Sequence, residues 1–325
     1  MIQTLKKGEI SFSSIFSFFI FIILLIVLIY LLYVLYQNIP GEPEKLEIQL
    51  QEQKPEQKTI TEAKQFYTNM KFNHNLITYN IDINCDENKI SRMTKAFDEL
   101  HTKVEEISFK EIREKADITI SCTQSKEETI TEDYFIAGEG GAKEIIDTGK
   151  YHVIVEGIIY LYDNDRKSLN CDYPNIEVHE LLHVLGFDHV DDKNSIMYLL
   201  LESCYQQLDN SIINELNKLY EMENLPELYF DDLEVLKKGR YLDFNATIKN
   251  SGVVDVENMS LSIFDDDTIL DTYYIDAITL GGGITITTQN FKLKDRNPEI
   301  IRFVIDEENK IKEIDEKNNI IEIKL

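Results

Sequence analysis

The spacing of apolar positions changes along the chain, and each change marks a different kind of element. Ile15–Tyr36 is almost wholly apolar, and no charged residue interrupts positions 10–41. At about 1.5 Å per residue this run is roughly 33 Å long, enough for one bilayer crossing. Residues 37–70 are rich in Gln, Glu, Lys and Pro and read as a stalk or linker, part of it open to helix. Leu76–Ile83 then alternates apolar and polar residues, as a half-buried strand does. Asp86 is placed to cap a helix on which Ile90, Met93, Phe97, Leu100, Val104 and Ile107 make one face. Asp117–Cys122 and His152–Tyr162 read as strands, and 174–186 as a short helix. A last helix, near Tyr205–Met222, carries Leu208, Ile212, Leu216 and Leu219 on one side.

From Pro226 the period shortens. Strand-like runs alternate with turn signals at Asn250-Ser251-Gly252, Asp265-Asp266-Asp267 and Gly281-Gly282-Gly283. Seven or so short strands predict a β-sandwich. The pattern divides the chain into a short tail (1–9), an apolar anchor (10–36), a stalk (37–70), an α+β unit (71–225) and an all-β unit (226–325).

Charge changes this picture in two ways. Lys6 and Lys7 precede the apolar run, whereas Glu42 and Glu44 are among the first charges after it. The positive-inside rule then places the N-terminus in the cytoplasm and residues 42–325 outside. No small-residue cleavage site follows the run, so it reads as an uncleaved anchor. The net charge is −26, from 33 basic and 59 acidic residues. Such a chain repels nucleic acid and anionic lipid surfaces and stays soluble outside the cell.

An even number of cysteines outside the cell suggests disulfides, and the four present allow three pairings. Cys85 and Cys122 each end a predicted strand. Cys171 precedes the 174–186 helix, and Cys204 follows the segment after it. Pairs 85–122 and 171–204 are therefore favoured. The alternative of a cysteine thiolate held on a metal as a latency switch stays open.

The chemistry concentrates at 179–189, His-Glu-Leu-Leu-His-Val-Leu-Gly-Phe-Asp-His, which holds three of the six histidines. On a helix His179 and His183 are i and i+4, so their imidazoles share one face. Gly186 can take positive φ, end the helix and bring His189 to the same point. Three neutral imidazoles with a fourth position left for water form the layout of a catalytic zinc site. Glu180, beside the first ligand, is placed to take a proton from that water. The plainer reading is a buried helix whose histidines satisfy core hydrogen bonds. His74, His101 and His152 are scattered and predict no second site. Asp163-Asn164-Asp165 offers oxygen ligands for Ca2+, or is an ordinary polar turn.

With Ser195-Ile196-Met197-Tyr198 following, its Met eight residues after His189, the segment resembles the metzincin signature, a long zinc motif followed by a Met-turn. The turn looks most like that of the matrixins. Val190 and Leu199 depart from the matrixin Ser and Pro, so the resemblance is to a matrixin-like metzincin of no named subfamily. It implies a zincin fold, a twisted mixed sheet with three helices over 71–225. It implies His179, His183 and His189 as zinc ligands, Glu180 as general base and Met197 as an apolar floor beneath the metal. It also implies a substrate strand added along Ala137–Ala142, where Gly138-Glu139-Gly140-Gly141 permits close approach; an ordinary surface loop is the other reading. The wall of the pocket beyond the scissile bond is expected around Tyr198–Leu201. The ending at Val304-Ile305-Asp306 through Asn318-Asn319 resembles the CARDB family, Ig-like modules of prokaryotic surface proteins. Substrate binding, partner binding and spacing all remain open for that module. Together the resemblances imply a membrane-anchored, outward-facing zinc endopeptidase acting on proteins or peptides. The rival is a cell-surface adhesion or assembly protein with a structural zinc.

Overall fold

A computed structural model describes residues 12–50, 63–124, 136–163 and 171–325. Helix α1 spans Phe12–Asn38, is long and apolar enough to cross a membrane, and packs against no core of the protein. Immediately after it the expected stalk is not free. Glu44–Lys45 forms a short strand, β1. Leu46 is buried beyond it, and Ile48 and Leu50 pack on the same core. Three apolar residues at alternate positions in a polar segment supply the reason.

The first sheet is built from β2 (Met70–Phe72), β3 (Leu76–Ile81), β4 (Ser108–Glu111), β5 (Ile118–Gln124), β6 (Gly138–Asp147) and β7 (His152–Asp163). β4, β3, β5 and β7 are parallel neighbours, and β2 adds to β7 in the same sense. β6 alone runs antiparallel, pairing along β7 from Gly138↔Leu161 to Asp147↔His152. It forms an edge of the sheet.

Three helices accompany this sheet: α2 (Glu87–Lys103), α3 (Asn175–Val184) and α4 (Asn210–Glu221). Asp86 caps α2 through Lys89 N–H at 2.9 Å. Met93, Ala96, Phe97 and Leu100 are its buried face. Each large apolar side chain on that face stabilises the core by about 1.5–3 kcal/mol. Val104 and Ile107 are equally buried but lie beyond the helix, which ends when Val104 turns extended. The last helix begins five residues later than its apolar spacing suggests. Asp209 stands at its N-cap, and Leu208 joins the core from the preceding turn.

The second unit is a β-sandwich of β8 (Leu228–Lys238), β9 (Tyr241–Asn250), β10 (Val256–Asp265), β11 (Thr268–Ile278), β12 (Gly283–Lys292), β13 (Ile300–Ile305) and β14 (Ile320–Lys324). One sheet is ordered β1-β8-β9-β12, the other β11-β10-β13-β14. Alternate residues from both, such as Phe244, Leu261, Ile263 and Phe303, fill one continuous core. Tyr151 and Val153 meet Val253 and Leu280 in a small apolar cluster between the two units. Thr148 Oγ1 donates to Ser251 O at 2.8 Å across the same boundary.

Candidate metal centre

Helix α3 is almost wholly buried, so its polar residues need a reason to be there. Val178, Leu181, Leu182 and Val184 pack into the core. His179, Glu180 and His183 are buried with them. The helix ends in a double-bonded turn: Phe187 N–H donates to Leu182 O at 3.0 Å, and Gly186 N–H to His183 O at 3.1 Å. Gly186 sits at φ +95°, and a Cβ there would lie 2.7 Å from the Met70 side chain. This turn reverses the chain and brings His189 back.

The three imidazoles converge. Their Nε2 atoms lie 3.0 Å (His179–His183), 3.1 Å (His183–His189) and 3.2 Å (His179–His189) apart. Nδ1 of His179 faces Ile196 O at 2.7 Å, and Nδ1 of His183 faces Phe187 O at 2.8 Å. A carbonyl only accepts, so both Nδ1 atoms carry the proton. Both Nε2 atoms are then bare lone pairs turned toward each other. Burial keeps these rings neutral: His179 is pushed down to about 3, and His183 and His189 are also lowered, burial being the largest cause in each. Facing lone pairs repel unless a cation lies between them. A tetrahedral Zn2+ with bonds of about 2.0–2.1 Å spaces its nitrogens roughly 3.3–3.4 Å apart. The triangle is within a few tenths of an ångström of that, and the residues fit a metal. Carbonyl bonds to Nδ1 are the outer contacts that fix ligating histidines.

Glu180 is only 7 % exposed. Burial raises its carboxyl to about 8, against a hydrogen bond from the Gly140 N–H that lowers it. A cation on the histidines would pull it down again. Strand β6 crosses α3 so closely that a Cβ on Gly140 would stand 2.2 Å from Glu180 O, and one on Gly138 would stand 3.0 Å from Glu180 Oε1. The glycine run at the 137–142 edge is thus used for contact with the helix that carries Glu180.

Beyond His189 the chain is braced from several directions. Val190 N–H donates to Met197 O at 3.0 Å. Met197 is fully buried. Asp209 Oδ2 accepts from Ser195 Oγ at 2.5 Å and from Ile196 N–H at 3.2 Å. Gln206 Oε1 accepts from Glu202 and Ser203 N–H, at 2.7 and 2.9 Å, and its Nε2 donates to Leu200 O at 2.9 Å. Cys171 is bonded to Cys204, tying the entry of α3 to the same loop, and Cys85 is bonded to Cys122. Tyr198–Leu201 is therefore a pinned loop, with the Leu199 side chain 63 % exposed. On the other flank Lys64 O accepts from Asp188 N–H at 2.8 Å, and Asp188 Oδ1 accepts from His189 N–H at 2.8 Å. Sequence reading missed Gly138 and Gly140 as neighbours of Glu180, and missed Gln206, Asp209 and Lys64 as supports. Only the glycine run itself, read as permitting a close approach, hinted at the first.

The remaining candidates lie elsewhere. His74 bonds Asp117 at 3.1 Å, His101 faces Ile107 O at 2.6 Å, and His152 stacks on Tyr67. Asp163 pairs with Lys89, while Asn164 and Asp165 of the calcium candidate lie outside the described residues.

Residues 71–221 match the sequence model of the Matrixin family, a peptidase family, and 230–322 match that of CARDB. The chain carries a matrixin-like domain followed by a CARDB module. A matrixin domain supports a zinc metallopeptidase-like function. Two curated relatives, endoribonuclease YbeY of Stenotrophomonas maltophilia strains K279a and R551-3, are each 39% identical over 54 residues, 17% of this chain. The match spans only 29% of the length of each relative. Among solved structures, a domain of a putative cell surface protein from Methanosarcina acetivorans is 19% identical, with a TM-score of 0.26, over 30% of this chain and 89% of that one. The CARDB domain of the PF1109 protein from Pyrococcus furiosus, in complex with di-metal ions, is 16% identical, with a TM-score of 0.23, over 31% of this chain and 88% of that one. Both superpositions are too loose to bear on function.

Proposed function

We propose that this chain is a membrane-anchored zinc endopeptidase whose catalytic unit faces outward. The observation that carries the reading is the triangle of imidazole Nε2 atoms, 3.0–3.2 Å on a side, formed by two histidines of the helix that also buries Glu180 and a third brought back by the turn after it. His179, His183 and His189 would hold the ion. Zinc, when bound there, supplies Lewis-acid polarisation of a carbonyl and acidifies its water. Glu180 takes the proton from that water and delivers it to the leaving amine. The Gly140 N–H holds the carboxylate during both transfers. Met197 closes the floor in apolar contact. The open edge of β6 offers backbone groups to an extended substrate, and the braced 198–206 loop forms the opposite wall.

The anchor reading rests on the apolar helix α1, and the outward orientation on Lys6 and Lys7 before it and on the CARDB module, a surface module, after it. The CARDB module is also compatible with the rival class, an adhesion or assembly protein with a structural zinc. A structural site has no use for a buried carboxylate beside its ligand, which favours the enzyme. A net charge of −26 argues against a nucleic-acid substrate.

The test is cleavage of an unfolded protein by the full chain in detergent, beside Glu180→Ala at matched zinc occupancy. Loss of the general base should cost roughly 10²–10⁴-fold. If both proteins hold zinc and cut at the same rate, or neither cuts, the enzyme reading gives way to its rival.

A further inference from the structure

The sandwich separates the anchor from the metal centre, and its strand directions say by how much. β9 starts at Tyr241 and ends at Asn250; β12, antiparallel to it, starts at Gly283 and ends at Lys292. One end of this sheet therefore holds Tyr241 and Lys292. The other holds Asn250 and Gly283, next to the Ser251 and Val253 contacts with the zinc-site unit. Ten residues at about 3.3 Å each put the two ends roughly 30 Å apart.

The Tyr241 end receives the anchor. Arg296 Nη1 donates to Tyr36 O at 2.8 Å and to Ile39 O at 2.6 Å, and its guanidinium lies over the Tyr36 ring. Tyr241 OH donates to Asn38 O at 3.4 Å. Gly41 and Gly239 touch so closely that a Cβ on either would lie within 3 Å of the other's backbone nitrogen. β1 then pairs with β8 at Glu44↔Lys237 and Lys45↔Leu236. The end of α1 is thus clamped to the sandwich rather than strung from it. Tyr30, Tyr33 and Tyr36 lie on its last turns, where aromatic residues mark a bilayer interface.

Charge is distributed unevenly here. The chain is strongly acidic, yet this end of the β8-β9-β12 sheet gathers Lys237, Lys238, Arg240, Lys292, Lys294 and Arg296. Among the described residues only Lys238 of these six has a carboxylate within 4.0 Å, that of Asp243. The acidic turn of the neighbouring sheet is bonded in part within its own sheet. Asp265 is buried, Asp266 Oδ1 accepts from Glu299 and Ile300 N–H, and Asp267 pairs with Arg302. Five of the six cations beside the anchor have no carboxylate within 4.0 Å among the described residues, and they outnumber Glu42, Glu44 and Asp295, the acidic residues interspersed with them.

We infer that this edge of the CARDB module rests on anionic phospholipid headgroups and carries the unit that holds the metal centre at its opposite end, about 30 Å away along the sheet. The proposal rests on α1 spanning the bilayer. It assigns the module the role of a footed spacer, and it sets the substrate class as protein segments held clear of the membrane surface rather than those emerging directly from it.

The test uses the full chain in vesicles, with a membrane-impermeant amine-acetylating reagent and mass spectrometry. Rates at Lys237, Lys292 and Lys294 are read against exposed Lys193 and Lys310. In vesicles containing phosphatidylglycerol the three should react about fivefold more slowly than in phosphatidylcholine or detergent, at roughly 1 kcal/mol per basic group near an anionic surface. The protection should fade at high salt. Arg296→Gln, which releases the α1 end, should lose it while the chain stays in the membrane. Equal rates in all three media, in protein that resists carbonate extraction, would overturn the docking and leave the anchor standing. Extraction by carbonate would overturn the anchor reading and the docking with it.

Discussion

Two sets of buried polar side chains, the glutamates Glu227 and Glu313 of the sandwich and the histidines around α3, are bonded in different ways. In the sandwich, Glu227 and Glu313 are buried but matched. Glu227 accepts from Asn318 Nδ2 at 2.6 Å and from Asp315 N–H at 2.8 Å. Glu313 accepts from Asn319 Nδ2 at 2.8 Å and from Leu228 N–H. These bonds stitch the last loop to the first strand. Around α3 the buried groups converge: three Nε2 atoms lie 3.0–3.2 Å apart, and those of His179 and His183 face each other with no proton between them. Buried groups that satisfy each other hold a fold together, and buried groups that cannot do so point to something from outside. Unpaired atoms alone do not mark the site, since Asn318 and Asn319 Oδ1 in the sandwich are also unpaired; what marks it is the convergence of three like nitrogens on one point.

The sharpest way to break the comparison is to remove a ligand. His183→Ala should weaken zinc binding by more than a hundredfold, since apparent structural-zinc energies of about 10–16 kcal/mol are shared among four ligands. Zinc titration by calorimetry would show it. Removing Glu313, an equally buried polar group, should leave zinc affinity unchanged. Equal effects from the two would mean that the triangle is only another core network.

Gly140→Ala tests the strand over Glu180. Its methyl cannot be placed without moving β6 or α3, the nearest atom being 2.2 Å away. A displacement near 1 Å at a catalytic group costs up to about 10²-fold in rate. The expected outcome is a fall in kcat with zinc occupancy intact. A fall in zinc binding instead would show that the strand supports the ligands and not the base.

The disulfides extend the contrast. Their sequence separations, 33 and 37 residues, are nearly equal, so each should contribute about 2–4 kcal/mol. Serine at both Cys171 and Cys204 should also lower activity, because that bridge holds the loop after Met197. Serine at Cys85 and Cys122 should lower the melting temperature by a similar amount and spare kcat. Parallel losses of activity would remove the distinction.

Lys71 gives a smaller effect. It is fully buried, and its Nζ donates to Leu219 O at 2.7 Å and to Asn224 Oδ1 at 2.9 Å, closing the C-terminal end of α4. Lys71→Met should cost about 1–3 kcal/mol by leaving those acceptors unpaired, read as a shift in denaturant midpoint.

How much of this was legible in the sequence follows the distances involved. The metal motif spans eleven residues, so the convergence of its three histidines was legible from spacing, whereas Met197 was singled out only by the resemblance to metzincins. The fold class and the matrixin-like and CARDB resemblances were legible from periodicity and local motifs, and the matches at 71–221 and 230–322 agree with them. What was not legible depends on contacts far apart in the chain. Gly140 meets Glu180 across 40 residues, and a glycine run by itself says only that something comes close. β1 joins β8 across nearly two hundred residues, hidden in Glu-Pro-Glu-Lys, which reads as a linker. The apolar face of α2 continued through Ile107 although the helix did not, because burial and helicity end at different residues.

The smallest effect concerns Glu313 and pH. Burial, the largest cause, raises its carboxyl to about 7 from an ordinary 4.5. The folded state therefore keeps the proton where the unfolded chain has lost it. Between these values the native state binds more protons, so stability falls as pH rises. The contribution is complete below about pH 4.5 and gone above about 7. Partial solvent access and the bonds from Leu228 and Asn319 reduce it to about 1 kcal/mol or less. Glu313→Gln stays neutral throughout and should flatten this slope. The measurement is the difference in melting temperature between the two proteins across pH 4.5–7.5, with zinc saturating so that the histidines do not titrate. The wild type should lose its advantage over the variant as pH rises. An advantage that instead grows with pH would mean that the carboxylate, not the acid, is the form the sandwich holds, and that its two N–H donors outweigh burial.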